Sequence, residues 1–283
     1  MLFKSSRHKT IKIGWQYIAQ HSIWRIIISD EGYFVCEDRD KENKSVSFFC
    51  LEQATGKIMW KDLRFEEPWW IGIEACYKEY LFFHEFATPD MPDHKKIHAH
   101  NLRTGERLWR NTEERFLFAA NDAVFTSKDL FERRIFRELD IATGEFRGEV
   151  DVQRVNSVRD SLPEPVLQVQ FPSILNPVLL QHEQMKASVA HATSKTKYVA
   201  LIEFLEHEGL HIIGYYDNIS SIPDNPQLEQ CLVVIDPSLQ KIIYNDHITS
   251  GVMAPIPDTF FCSGSNIYLV KDKNILTALE IAK

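Results

Sequence analysis

The sequence predicts an all-β chain folded as a β-propeller, and three observations predict it. A phrase recurs, as FFCLEQATGKIMW at 48–60, HAHNLRTGERLW at 98–109 and FRELDIATGEFRG at 136–148. Each copy reads as an alternating apolar strand, a Thr-Gly turn and a second strand, which ends in Trp60 and Trp109 in the first two. The second and third turns stand 39 residues apart. That is near the span of one four-stranded blade, which cannot bury both faces alone and therefore stacks on its neighbours around an axis. Finally, each copy is preceded by two further strand-like stretches, so the repeating unit has four strands.

Taken in order, the first unit predicts strands WRIIISD at 24–30, YFVCEDR at 33–39, SVSFFCLEQ at 45–53 and KIMWKDL at 57–63. The second predicts WWIGIEACY at 69–77, YLFFHEF at 80–86, KKIHAHNL at 95–102 and ERLWRN at 106–111, with ATPDMPDH as a turn-rich excursion between the middle two. The third is shorter, and its RFLFAAND, AVFTSKDLF, RRIFRELDI and EFRGEVD all lie within 115–151. After residue 151 the rhythm lapses into a stretch with four prolines followed by a segment of helical character, and residues 152–196 read as an insertion decorating the fourth blade. A long excursion of this kind in a compact repeat fold is a natural place for specificity.

The pattern returns with KYVALIEFLE at 197–206, LHIIGYYDN at 210–218, EQCLVVIDP at 229–237 and QKIIYND at 240–246, where PSLQ replaces the Thr-Gly turn. The fifth unit has only TFFCSG, NIYLVKD and NILTALEIA. Its missing strand is supplied most economically by KTIKIGWQYIA at 9–19, which would pair the two ends of the chain and remove an open sheet edge. The expected fold is thus five blades of four antiparallel strands. Six is the alternative, because 95 residues separate Thr143 from the serine of PSLQ.

A chain of 283 residues has room for two average domains, but repeat folds run this long as one, and a single domain over 1–283 is expected. The net charge of −8, with basic residues scattered among acidic ones, provides no basic stripe for a phosphate backbone, so no nucleic acid partner is expected. The N-terminal stretch lacks an apolar run of signal-peptide length, and no segment approaches about 18 uninterrupted apolar residues. A cytoplasmic protein without a membrane partner is the expectation. Cys36, Cys50, Cys76, Cys231 and Cys262 are odd in number and widely separated, as suits buried thiols better than a disulfide framework.

The A-T-G-K/E phrase with Trp60 and Trp109 resembles the repeat of the pyrroloquinoline-quinone-type propellers, whose blades carry a strand, an aspartate or asparagine, a T-G turn and a terminal tryptophan. Asn101 and Asp140 stand at the place of that aspartate, and Glu52 departs from it. The resemblance implies a fold in which the Trp packs between blades, and it does not carry function. The quinone dehydrogenases of that superfamily have eight blades and a vicinal cysteine pair, and this chain has neither the repeats nor adjacent cysteines, so no cofactor is expected. The closing segments IEFLEHEGLHIIGYYDN and QCLVVIDP resemble a bacterial family of unknown function.

Three groups of residues suggest chemistry. His84 and Glu85 lie in YLFFHEF, with His94, His98 and His100 beyond them. Residues at i and i+2 on a strand share a face, so His98 and His100 are candidate metal ligands together with His84 on the neighbouring strand. Asp30, Glu74 and Glu203 fall on the first strands of three units, where inner-strand carboxylates would serve a five-bladed glycosidase as acid and nucleophile. Trp69 and Trp70 open a blade after Pro68, and one ring would be free to stack on a ligand; Tyr215 and Tyr216 allow the same reading. No nucleophile elbow or phosphate-binding glycine loop occurs, and SGS at 263–265 is a turn. The expected function is a non-catalytic module binding an unknown protein or small-molecule ligand at the channel mouth, through Trp69, Trp70, His84, Glu85 and Tyr215. A glycan-acting hydrolase is the alternative.

Overall fold

The computed structural model describes residues 9–88, 91–162, 169–175, 182–196, 199–220 and 227–282. They form five antiparallel sheets of four or five strands. The chain divides into two units, one of Gln20–Val166 and one of Met1–Ala19 with Leu167–Lys283. The first strand, β1 (Thr10–Ile18), belongs to the latter.

In the Gln20–Val166 unit three four-stranded sheets follow one another in chain order. The first comprises β2 (Ser22–Ile28), β3 (Tyr33–Asp40), β4 (Ser45–Glu52) and β5 (Ile58–Leu63). The second comprises β6 (Ile71–Tyr77), β7 (Tyr80–Thr88), β8 (Met91–Asn101) and β9 (Arg107–Asn111). The third comprises β10 (Arg115–Ala120), β11 (Ala123–Asp129), β12 (Arg134–Asp140) and β13 (Phe146–Val150). Each repeat read from the sequence is one sheet, and each Thr-Gly phrase joins its third strand to its fourth. The turn-rich excursion expected at ATPDMPDH is instead an extension of the hairpin, with Thr88 paired to Met91 and residues 89–90 outside the described ones. Pro92 is the second residue of β8, and proline is tolerated near a strand's start because it lacks only a donor.

The repeated phrase makes two structures at once. Gly56, Gly105 and Gly144 have φ near +70°, the left-handed region that glycine enters without cost. Asn101 Oδ1 accepts hydrogen bonds from the backbone N–H groups of Arg103 and Thr104, both at 3.0 Å. Asp140 Oδ1 accepts those of Ala142 and Thr143, both at 2.9 Å. In the first copy Glu52, with a longer side chain, accepts from the Thr55 hydroxyl instead. The tryptophan of one sheet then docks on the turn of the next. Trp60 Nε1 donates to the Leu102 carbonyl and Trp109 Nε1 to that of Ile141, each at 2.8 Å. The indoles lie so close to the turn glycines that a Cβ at 105 or 144 would stand 2.9 or 2.6 Å from a ring atom.

Strand alternation distributes the core. Phe83 joins Val35, Phe48, Ile71 and Ile73 between the first and second sheets, and the adjacent Phe82 joins Ala99, Trp109, Val124 and Leu139 between the second and third. The third copy carries Gly148 where the others carry tryptophan. There the chain turns into α1 (Val152–Ser161), which buries Val155 and Val158 against Ala120 and Phe125. The sequence reading places helical character only after the prolines. α1 precedes them because Asp151 caps it, accepting from Arg154 N at 2.7 Å.

The other unit has two five-stranded sheets. One contains β14 (Val169–Gln170), β20 (Phe260–Ser263), β21 (Asn266–Lys271), β22 (Ile275–Ala282) and β1. The N-terminal strand pairs with the C-terminal one from Thr10↔Ala282 to Ile18↔Ile275, with a shift at Gly14. The other sheet contains β15 (Ser173–Leu175), β16 (Val199–His207), β17 (Leu210–Asn218), β18 (Leu228–Asp236) and β19 (Lys241–Val252). Residues 152–196 thus contribute an edge strand to each of these sheets, and α2 (Glu183–Ala192) packs Val189 and Ala192 onto Ile213, Tyr215 and Cys231. Among the described residues no helix is long and apolar enough to cross a membrane.

Candidate functional site

The densest polar groups of the Gln20–Val166 unit lie in its second sheet. Glu74 is the unpaired residue of a β-bulge in β6, between Ile73↔Phe83 and Ala75↔Phe82. A second irregularity follows in the β7–β8 ladder between Phe83 and Glu85, opposite Lys96 in the left-handed region. Bulges re-aim side chains. Here Glu74 Oε2 lies 2.8 Å from Nδ1 of His84 and 2.8 Å from Nδ1 of His94. The two imidazoles stack face to face, with centroids 3.4 Å apart and planes 7° from parallel. His94 makes a hydrogen bond to the carboxylate. His84 comes equally near but off the hydrogen-bonding direction, so neither of its ring nitrogens has a hydrogen-bond partner although its side chain is only 2% exposed.

Burial pushes the Glu74 carboxyl up, but the two imidazoles outweigh it and bring the group down to about 2. Burial also lowers His84, against the pull of Glu74, and so favours its neutral form. Gly72, paired with His84, keeps this corner open. A Cβ there would lie 3.3 Å from His84 Nε2 and 3.1 Å from Glu37 Oε1.

The same sheet also borders a polar cleft of about 330 Å³ lined by Arg64, Phe65, Glu85, His98, His100, Arg107 and Arg110, among others. Glu85 is buried among nitrogen donors, at 2.6 Å from Lys96 Nζ, 3.1 Å from His98 Nε2 and 3.5 Å from Arg110 Nη2. Burial raises its carboxyl, but the bonds from Lys96 and His98 prevail and it lies below the usual range. His100 Nδ1 donates to the Gly105 carbonyl at 2.8 Å, which leaves Nε2 as a lone-pair acceptor, buried and without a partner. Phe65 packs against the rings of both His98 and His100. Arg110 also pairs with Glu66, whereas Arg64 and Arg107 enter no ion pair among the described residues.

The residues singled out in the sequence therefore separate into groups. His84 joins Glu74, a residue read there as an axial carboxylate, while His98 and His100 line the cleft with Glu85. Asp30 is exposed in the turn between β2 and β3. Glu203, in the other unit, is buried with both oxygens occupied: it accepts from the backbone N–H groups of Asp258 and Thr259 and from the Thr259 hydroxyl. Trp69 is covered by Arg39 and Lys44, whose charges lie 5.1 and 5.0 Å from its ring, and Trp70 is exposed with its ring nearly perpendicular to that of Phe86. Tyr215 is buried beneath α2, and the Tyr216 hydroxyl donates to the Ile256 carbonyl.

Sequence reasoning missed Glu37 and Arg39. They form a buried pair at 2.8 Å from which Arg39 donates to the Trp69 and Ile71 carbonyls while Glu37 accepts from Ile73 N, tying β3 to β6. The opposite charges of Glu37 and Arg39 at i and i+2 in CEDRD, on one face of a strand, were its visible signal. In the other unit Glu229, Cys231 and His247 also come together, with His247 Nδ1 3.0 Å from Glu229 and 3.7 Å from the Cys231 sulfur. Burial pushes that thiol up to about 11.

Residues 27–109 match the family described as Domain of unknown function (DUF4905). The match falls on the first two repeats rather than on the closing segments in which a family of unknown function was expected. No curated protein matches significantly. Among solved structures the chain is similar to BamB from Moraxella catarrhalis, with 10% identity, a TM-score of 0.36 and 94% of this chain and 85% of that chain covered. It is also similar to a member of the DUF4221 family from Bacteroides vulgatus, with 9% identity, a TM-score of 0.31 and 98% and 96% covered. A third is Hsv2 of Kluyveromyces lactis, with 10% identity, a TM-score of 0.27 and 97% and 76% covered. At these values the likenesses carry no functional argument.

Proposed function

We propose that the chain is a five-bladed, quinoprotein-repeat-like β-propeller of the cytoplasm that acts as a non-catalytic binding module, and that the cleft beside β8 and β9 takes a small hydroxylated anion. Five sheets and the tryptophan-on-glycine contacts support the architecture. One observation carries the ligand class: two guanidiniums without carboxylate partners, Arg64 and Arg107, share a cleft with a buried imidazole acceptor that lacks a donor, His100 Nε2. Guanidinium groups bind carboxylates and phosphates through paired N–H donors. A buried acceptor left without a donor costs about 1–3 kcal/mol, which a ligand hydroxyl would recover. The cleft lies at the lower end of the volumes that enclose small molecules. Glycan hydrolysis finds less support, because the oxygens of Glu203 are already occupied by the chain and Glu74 is held by two histidines.

The test is a thermal-shift screen of the purified chain against phosphate, hydroxycarboxylates and sugar phosphates, with calorimetry on the hits. Hydroxylated anions should raise the midpoint. Arg107→Gln should weaken binding at least tenfold, and His100→Phe should selectively remove the advantage of a hydroxylated anion over its deoxy analogue. A flat screen across the panel refutes the anion site.

A further inference from the structure

Independently of the cleft, we propose that Glu74, His84 and His94 form a binding site for a divalent first-row transition metal, best matched by zinc. Three donor atoms, one carboxylate oxygen and two imidazole nitrogens, lie within 4.8 Å of one another. Tetrahedral nitrogen and oxygen ligands about 2.0–2.2 Å from a common zinc ion would stand roughly 3.4 Å apart, so an ion would draw Glu74 Oε2 away from the two Nδ1 atoms, now each at 2.8 Å, and turn the His94 ring out of its stack on His84. Two imidazoles and one carboxylate are a donor set that suits zinc and its neighbours rather than magnesium or calcium.

The second observation is His84. It is 98% buried by side chain, faces the carboxylate at contact distance and makes no hydrogen bond through either nitrogen. Hydrogen bonding within the protein therefore leaves this ring unexplained, and a cation drawing on its Nδ1 lone pair explains it. His94 is the accessible member, with its side chain 35% exposed, so an ion would enter from solvent and retain water in the remaining positions.

Zinc chloride titrated at pH 7.5 into the purified full chain, in competition with a chromophoric chelator, tests the site. His94→Ala is the informative variant because the ring is partly exposed, and far-UV circular dichroism will verify its fold. His247→Ala controls for Glu229, Cys231 and His247. The expected result is one tight equivalent of zinc in the wild type and in His247→Ala, weakened at least tenfold in His94→Ala, and a thermal midpoint raised by zinc only where it binds. Cobalt(II) should give a visible absorption band in the wild type that is lost in Glu74→Gln. Equal zinc affinity in the wild type and His94→Ala, loss of binding in His247→Ala alone, or no tight equivalent at all would each overturn the proposal.

Discussion

Replacing Gly144 by alanine should cost far more than a surface turn substitution, and the cost should depend on Trp109. Two contributions add. At φ +72° a Cβ is strained by about 1–2 kcal/mol. The new methyl would also stand 2.6, 2.7 and 3.0 Å from Cδ2, Cε3 and Cγ of the indole, inside any ordinary carbon contact. Trp109 is nearly buried and is fixed through Nε1 to the Ile141 carbonyl, so it can yield only by giving up that bond and stranding a buried acceptor, at about 1–3 kcal/mol. Gly144→Ala should therefore destabilise by roughly 2–5 kcal/mol. Trp109→Leu removes the obstacle at its own cost, and in that background Gly144→Ala should cost only the backbone strain of about 1–2 kcal/mol. The double variant should thus be more stable than the sum of the singles predicts by about 1–3 kcal/mol. Urea unfolding followed by far-UV circular dichroism measures all four corners of the cycle. Additivity within about 0.5 kcal/mol would mean that the indole does not bear on the glycine and that the repeated tryptophan has some other role.

Two further outcomes follow from burial. Glu203 is raised above the usual carboxylate range by desolvation, against the bonds from Thr259 and Asp258. The native state therefore holds this proton more tightly than the unfolded chain, whose glutamates titrate near about 4.3. Its contribution is most favourable below that value and declines as pH rises through the folded pKa. Stability of the wild type relative to Glu203→Gln should accordingly fall between about pH 4 and neutrality in urea titrations at several pH values, and a relative gain over that interval would show that hydrogen bonding outweighs burial. The thiols of Cys50, Cys76 and Cys262 are pushed up to about 12 by burial, first of all, and Cys36 is raised by the same cause. A thiol-specific disulfide reagent at pH 8 should react slowly with the native chain and with all five cysteines in guanidinium, whereas one fast native thiol would contradict this burial.

The strands were legible because two signals coincide in each repeat: short runs rich in apolar, β-branched and aromatic residues, as a sheet covered on both faces requires, and turn residues at fixed offsets from them. The pairing of β1 with β22 was legible for a different reason, since the last repeat ended one strand short while an unpartnered strand stood at the N-terminus. The grouping of Glu74 with His84 and His94 was not. Alternation assigns each residue to a face by counting, and one extra residue in β6 at Glu74, with a second irregularity beside His84, defeats the count exactly where the polar side chains converge. Counting by twos linked His98 to His100, which face the cleft, with His84 added from the neighbouring strand, and left Glu74 among the carboxylates of other repeats. The same bulges leave Glu74 without a register partner and turn it toward two imidazoles. A regular strand would have spent that position on the sheet, so the irregularity that hides the cluster from sequence reasoning is also its physical cause. Irregular ladder positions carrying histidine or carboxylate are therefore where this chain's chemistry is best sought, ahead of the regular strands whose alternation is already explained by packing.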